Sequence, residues 1–381
     1  MVKTAQLEIK DQDLLATLRG FLKSVLKQED IRAILAPWRL PMKNTVMPTL
    51  LTNPEQLNGV DPLSPAFPMN SAKVLSRLTR KPSGAKIAAV MRPCEIRAFI
   101  ELVKLKQGRT EDVLIIGIDC LGAYESRDFS SWVGDDVDES TRMFYAHILS
   151  EKGGPLDGVD VAPACRVCEF PTAARADISI GLFGVDTAKQ ILIQAQTPAG
   201  ETFMEKLALK KAEEPASRKK SMDKLIAERI VMRDKMFEET HADVGDLEKL
   251  TAYLASCINC YNCRVACPVC YCRECVFVTD VFDHEPHQYL RWAERKGAVK
   301  IPTDTVLYHT TRMAHMSTAC VGCGQCSNAC PNDIPLMELF RTTAHQTQEA
   351  FEYEAGRSLD EKPPLTEFRE DEFKDVVDFS H

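Results

Sequence analysis

The stretch Cys257-Ile-Asn-Cys260-Tyr-Asn-Cys263-Arg-Val-Ala-Cys267-Pro268 spaces its thiols in a way that leaves few chemical readings. Cys-x2-Cys-x2-Cys-x3-Cys-Pro is the bacterial ferredoxin run, in which three thiolates hold one [4Fe–4S] cube and the fourth reaches a second. A second cube needs a second run. Cys320-Val-Gly-Cys323-Gly-Gln-Cys326-Ser-Asn-Ala-Cys330-Pro331 supplies it, with the same spacings and the same closing proline. The pattern assigns Cys257, Cys260, Cys263 and Cys330 to one cube, and Cys320, Cys323, Cys326 and Cys267 to the other. Zinc is the competing reading, but structural zinc prefers separated Cys-x2-Cys pairs that close a tetrahedron.

Working outward, 52 residues (268 to 319) separate Cys267 from Cys320, far more than a minimal ferredoxin needs. The insert from Phe277 to Met316 mixes helix and loop, so a mainly helical two-cluster domain is expected over 251–340. Cys270, Cys272 and Cys275 remain beside the first run. Either they start a further centre, completed by His284 or His287 or left with an open iron, or they line a neighbouring cluster and tune it through hydrogen bonds to sulfur. His309 and His315, just before the second run, read as packed or solvated histidines rather than ligands.

The 381-residue length suits about two domains. Hydrophobic residues at 45% and charged residues at 27% match a soluble globular chain. No apolar run approaches the roughly 20 residues of a membrane span. The first ten residues lack a signal-like apolar core, so the fifteen cysteines read as reduced ligands and the expected compartment is the cytoplasm. A net charge of −8 argues against a nucleic-acid scaffold. Positions 341–381 hold eleven acidic and five basic residues, a net of −6, and are expected to form an acidic tail. Within it, 365–379 mixes acids and apolar residues near helical spacing, as a solvated helix or a docking segment would.

At the front, 11–27 reads as an amphipathic helix, with Leu14, Leu18, Phe21, Leu22 and Val25 on one side. The prolines from Pro37 to Pro68 argue against a central strand and for ordered loop. Asn70-Ser71 offers a cap for a short helix. From Lys86 the rhythm becomes α/β: strand 87–91, turn 92–94, helix 95–106, strand 113–118, which implies a parallel crossover unit. A strand running into a glycine turn is also expected over 176–184, and one more strand over 189–196. Cys94 and Cys120 then fall just past strand ends, where open α/β sheets place ligands. With Cys165 and Cys168 they are all the cysteines of this half. They read either as small buried residues or as a third cubane, with Cys94 beside a helix N-terminus. The organisation is thus an α/β domain with a mostly parallel sheet over 1–209, a helical linker over 210–250, the two-cluster domain and the tail. Neither a Gly-x-Gly-x-x-Gly fingerprint nor a Gly-x4-Gly-Lys-Ser/Thr phosphate loop is present.

Pro93-Cys94-Glu-Ile-Arg-Ala, Gly117-Ile-Asp-Cys120, Cys165-x2-Cys168 and Ala176-Asp-Ile-Ser-Ile-Gly181-x2-Gly184, occurring in this order, resemble the beta subunits of coenzyme F-420-reducing hydrogenase and F-420-dependent formate dehydrogenase. The resemblance covers about 64–184. It implies a flavin domain in which Cys94, Cys120, Cys165 and Cys168 hold a [4Fe–4S] cluster beside an FAD that exchanges hydride with the deazaflavin. It points to Asn70, Ser71, Arg92, Pro93, Gly181 and Gly184 as FAD contacts. The appended two-cluster domain is closer to the formate dehydrogenase type and to relatives working with heterodisulfide reductase. One departure stands out: the hydrogenase-type subunits have a glycine-rich segment near the N-terminus, and 13–33 here holds only Gly20. The expectation is a cytoplasmic oxidoreductase subunit with FAD and three clusters, room for a fourth, and a catalytic partner of formate dehydrogenase alpha or hydrogenase type. The alternative is a flavin-free electron-wiring adaptor.

Overall fold

The computed structural model describes residues 3–41, 44–150 and 153–367. Among these, eight strands form one sheet in the order β3-β2-β4-β5-β6-β7-β1-β8. They are β1 (Lys3–Glu8), β2 (Ile31–Arg39), β3 (Val46–Leu51), β4 (Lys86–Met91), β5 (Val113–Ile118), β6 (Ile178–Gly181), β7 (Gln190–Ala195) and β8 (Lys210–Lys211). β2, β4, β5 and β6 are parallel, and the strands on either side join by antiparallel pairing. All six residues of β5 are buried, as a central strand covered on both faces requires.

The expected crossover is present. The helix Pro93–Lys104 links β4 to β5, with proline at its first position, where a missing N–H costs nothing. Glu95 folds back to accept from Arg92 N at 2.8 Å and from Ser71 N at 2.7 Å, tying the turn after β4 to the segment before the next helix. The front helix runs Leu14–Leu26, capped by Asp13, and its predicted apolar face is buried.

The proline-rich passage is not all loop. β2 contains Pro37 and β3 contains Pro48, and the two stand opposite each other in the antiparallel register. Neither has an N–H to offer. The β2–β4 ladder ends at Leu35, before Pro37, and β3 is the sheet edge, so both prolines sit where a ladder bond is not required. Proline density alone hides this arrangement. β1 and β8 are likewise unforeseen, and β8 carries the sheet past position 209.

The boundaries at 210, 250 and 340 are softer than expected. The helix Ala216–Val244 is polar nearly all round, yet it buries Arg218 and Arg229 in the α/β part. The helix Leu336–Ala350 runs through position 340. The chain then returns onto Pro93–Lys104: Glu101 accepts from Tyr353 Oη at 2.7 Å and from Gly356 N at 2.6 Å, while Arg97 Nε donates to Ala355 O at 3.0 Å. So 341–367 is not a free tail. Most of the expected helix over 365–379 lies outside the described residues.

The two halves share a core. One hydrophobic cluster joins Ile96, Phe99 and Ile100 of the crossover helix to Cys263, Val269, Tyr308 and Phe340 of the cysteine-rich half. Polar ties reinforce it: Gln325 Nε2 donates to Phe67 O at 2.8 Å, Arg97 Nη1 to Val321 O at 3.3 Å, and Lys73 Nζ to Val265 O at 3.1 Å.

Candidate functional site

The two ferredoxin-like runs fold alike. Asn259 and Tyr261 take left-handed backbone (φ 50 and 62), as do Gly322 and Gly324 (φ 68 and 76), the residues at the same offsets in the second run. A short helix follows each, Asn262–Ala266 and Gln325–Asn328. The Asn259 amide donates to Cys257 Sγ at 3.4 Å, and the Gly322 amide stabilises the Cys320 thiolate in the same way. Such N–H to sulfur bonds favour the ionised sulfur that iron needs.

The structure gathers the expected sets. Cys267, Cys320, Cys323 and Cys326 line one cavity. Cys94, Cys120, Cys165 and Cys168 line a second, together with Arg92 and Arg229. Cys257, Cys260, Cys263 and Cys330 are near enough for their charges to act on one another. Among the described residues no three His, Cys, Asp or Glu side chains converge as tightly as a single bound ion requires. The thiols ring hollows instead, which suits a cube bound at its corners.

Gly324 is what lets two sets meet. A Cβ there would lie 2.5 Å from Ala164 Cβ, on the short helix Pro163–Arg166 that carries Cys165. As a result Cys323 forms part of the wall of both cavities. Burial raises the pKa of several of these thiols, to about 12 for Cys165 and well above the ordinary value for Cys94 and Cys326, with neighbouring thiols adding to it. Thiols so crowded keep their protons unless a cationic centre takes the charge, which fits an iron–sulfur cluster.

Sequence reading missed Arg312. It is buried on the helix Thr305–Met316, donates from Nη1 to Cys263 Sγ at 2.9 Å, and also lines the Cys267, Cys320, Cys323, Cys326 cavity. Tyr308 Oη lies 3.4 Å and His309 Nε2 3.3 Å from the thiols of Cys263 and Cys257. His309 is packed, as expected. Burial, with Arg312 and Lys300 nearby, lowers its pKa to about 3. Thr305, Tyr308, His309, Arg312 and Met316 recur at helical spacing, and that polar inward face was the available signal. Arg312→Met should lower the midpoint potential of the adjacent clusters by on the order of 50 mV, because a buried cation facing several thiolates is lost. An EPR-monitored redox titration would measure it, and an unchanged potential would refute the role.

The other thiols disperse. Cys270 lies near Cys267, Cys272 and Lys73 and is pushed up to about 11, mainly by burial. Cys275 lies near Tyr261, and Cys272 is exposed. They are not gathered into a set of their own with His284 or His287.

A third cavity lies across Cys120, at the ends of β2, β4 and β5, and is lined by the proline-rich segment, Ser71, Arg92 and Asp119. One polar atom at the expected flavin contacts lacks a partner, Ser71 Oγ, in its wall, while the Asn70 side chain lies within hydrogen-bond reach of the Cys323 thiol. Asn70 Oδ1 caps the next helix at Ala72 N (3.0 Å). Arg92 is committed to the carbonyls of Ser64 and Ala66, at 2.6 and 3.0 Å. Pro93 opens the crossover helix. Gly181 and Gly184 lie elsewhere: the room a Cβ would fill at each is taken by Arg218. The hollow measures about 40 Å³, space for a few waters. Its volume does not suit a flavin ring as the side chains stand.

Residues 84–221 match the sequence family described as the C terminus of the coenzyme F420 hydrogenase/dehydrogenase beta subunit, and residues 253–334 match the 4Fe-4S dicluster domain. The two matches lie one after the other in the chain, the beta-subunit match first and the 4Fe-4S dicluster match second. The F420-dependent formate dehydrogenase subunit beta of Methanocaldococcus jannaschii is 26% identical over 376 residues, covering 91% of this chain and 92% of that one. The F420-dependent formate dehydrogenase 1 subunit beta of Methanococcus maripaludis is 27% identical over 351 residues, 84% of each. Among solved structures, a chain of the F420-reducing [NiFe] hydrogenase complex from Methanosarcina barkeri aligns with TM-score 0.47 and 16% identity, over 65% of this chain and 94% of that one. The beta-subunit match contains Cys94, Cys120, Cys165 and Cys168. The dicluster match contains both runs.

Proposed function

We propose that this chain is the electron-wiring beta subunit of a formate dehydrogenase- or hydrogenase-type complex. It would connect a catalytic partner subunit to a two-electron carrier or a heterodisulfide reductase-type partner. The observation that supports this is the sharing of walls. Cys323 borders the cavities of two cysteine sets, and Cys120 borders both the second set and the proline-rich hollow. Full-length similarity to two formate dehydrogenase beta subunits supports it as well.

Cys257, Cys260, Cys263 and Cys330, then Cys267, Cys320, Cys323 and Cys326, then Cys94, Cys120, Cys165 and Cys168 would hold three [4Fe–4S] clusters in series. Bound clusters supply one-electron carriage. The chain's residues do the rest. Buried Arg312 stands between the first two sets, and Arg92 and Arg229 flank the third, so each anionic centre has a fixed cation. The shared apolar core keeps water away from the thiols between them.

FAD at the proline-rich hollow belongs to the fuller reading, in which Ser71 Oγ would gain a partner. No step is derived through it, because the hollow would first have to open. That small volume, with the single glycine in 13–33, favours the second reading, a flavin-free adaptor. Acid extraction of anaerobically purified protein decides between them. About one FAD per chain supports the flavin reading, and three cluster equivalents without flavin support the adaptor. Stoichiometric zinc in place of iron would overturn both.

A further inference from the structure

Arg97 is 4% exposed and lies on the crossover helix Pro93–Lys104, one turn after Cys94. Among the described residues no carboxylate comes within ion-pair distance of it. The two carboxylates whose charge reaches it are engaged elsewhere: Glu169 pairs with Arg233 at 3.1 Å and with Arg341, and Glu354 pairs with Arg175 at 2.5 Å. A guanidinium keeps its proton in a protein, and a buried charge without an opposite charge is among the costliest groups a fold can hold. Something else must supply the countercharge.

Two cysteine sets stand against it. Arg97 Nη1 donates at 3.3 Å to the carbonyl of Val321, the residue after Cys320. The guanidinium also stacks 3.6 Å over the ring of Phe170, which lines the cavity of Cys94, Cys120, Cys165 and Cys168. Among the groups whose charge acts on Arg97, Cys168 comes before either glutamate, and Arg97 in turn favours the thiolate of Cys320. The returning chain fixes its place: Nε donates to Ala355 O at 3.0 Å, and a Cβ on Gly356 (φ 75) would fall 2.5 Å from the Arg97 Cα.

A cubane held by four thiolates is anionic, and reduction adds one more negative charge, so a fixed cation nearby favours the reduced form. We infer that Arg97 is the shared countercharge of two clusters, that of Cys267, Cys320, Cys323 and Cys326 and that of Cys94, Cys120, Cys165 and Cys168, and that it raises both potentials together. Arg312 faces Cys263 of the first run; Arg97 serves the pair at the junction of the two halves. The inference rests on the electron-wiring reading and deepens it.

The test uses the full chain with its iron as isolated, followed by EPR-monitored redox titration, with each signal assigned by the cysteine variant that removes it. Arg97→Gln removes the charge while keeping a donor for Val321 O, and Arg97→Lys keeps the charge. In Arg97→Gln the ratio of reduced to oxidised cluster at a fixed poise should fall about tenfold for both junction clusters, which is about 59 mV in each one-electron midpoint. The cluster of Cys257, Cys260, Cys263 and Cys330 should move much less. Arg97→Lys should restore most of the loss at both. An unmoved potential at either junction cluster in Arg97→Gln, an equal fall at all three clusters, or a lysine variant no better than glutamine would overturn the inference. Loss of iron from both variants would overturn it too, because a role that only a guanidinium can fill is that of a clamp for Val321 and Ala355. A parent chain without iron would sink the electron-wiring reading and this inference with it, whereas a parent with iron and unmoved potentials in Arg97→Gln would sink this inference alone.

Discussion

Replacing Asp119 with alanine should lower the unfolding midpoint by on the order of 10 °C. The carboxylate is fully buried where β5 ends, paired with Arg218 at 2.6 Å from a helix 99 residues further on. It also accepts from Leu182 N at 2.9 Å and Phe183 N at 3.3 Å. Alanine would take the buried carboxylate partner from Arg218, leaving it Glu214 at 3.4 Å and Phe183 O at 3.2 Å, a loss of about 3 kcal/mol. Two peptide donors would be freed as well, each costing on the order of 1 kcal/mol or more unless water reaches them. Arg218 sits against Gly181 and Gly184, so the damage should spread to the start of the helix Ala216–Val244. Thermal melting followed by circular dichroism checks this. A shift of only a degree or two would mean that solvent enters the site and the pair is not the clamp described.

If the three proposed clusters are bound, Cys323→Ala should remove roughly a third of the iron and acid-labile sulfide. It should also cut electron flow between the two halves by orders of magnitude. The second part does not follow from counting ligands. Any cysteine of the Cys267, Cys320, Cys323, Cys326 set could cost one cluster, but Cys323 alone of these four also borders the Cys94, Cys120, Cys165, Cys168 cavity. Cys326→Ala is the comparison: it should lose similar iron while disturbing less the spectrum of the cluster proposed at Cys94, Cys120, Cys165 and Cys168. Iron and sulfide assay with EPR of the reduced protein would read both. Full iron in Cys323→Ala would show that another thiol, such as Cys270, replaces it, and would revise the ligand set.

Much of the cysteine chemistry was legible because a ferredoxin run is local: its thiols lie within eleven residues, and the spacing is itself the binding geometry. The crossover from β4 to β5 was legible for the same reason, since hydrophobic period and turn residues report on neighbours in sequence. β2 and β3 were not, because two prolines are harmless in a strand only if the partner strand places them opposite each other at the sheet edge. Their composition carries no sign of that register.

The flavin contacts divide along the same line. Ser71 and Arg92 reach the proline-rich hollow because the segment 61–71 folds over the ends of β2, β4 and β5. Gly181 and Gly184 resemble cofactor glycines in sequence, yet Arg218 occupies the space they leave. A glycine's clearance is visible in a sequence, while what fills it depends on a residue more than thirty positions away.

By itself, then, the sequence determined which thiols group together, with Cys330 beside the first run and Cys267 beside the second, and that an α/β half with four further cysteines precedes them. Those properties depend on short-range spacing. Only the tertiary structure decided that Cys323 and Cys120 stand at the junctions between cavities and that Arg312 faces thiols of both runs. Each of these depends on burial and on close approach between segments far apart in the chain, such as Gly324 against Ala164, and no local pattern encodes that approach.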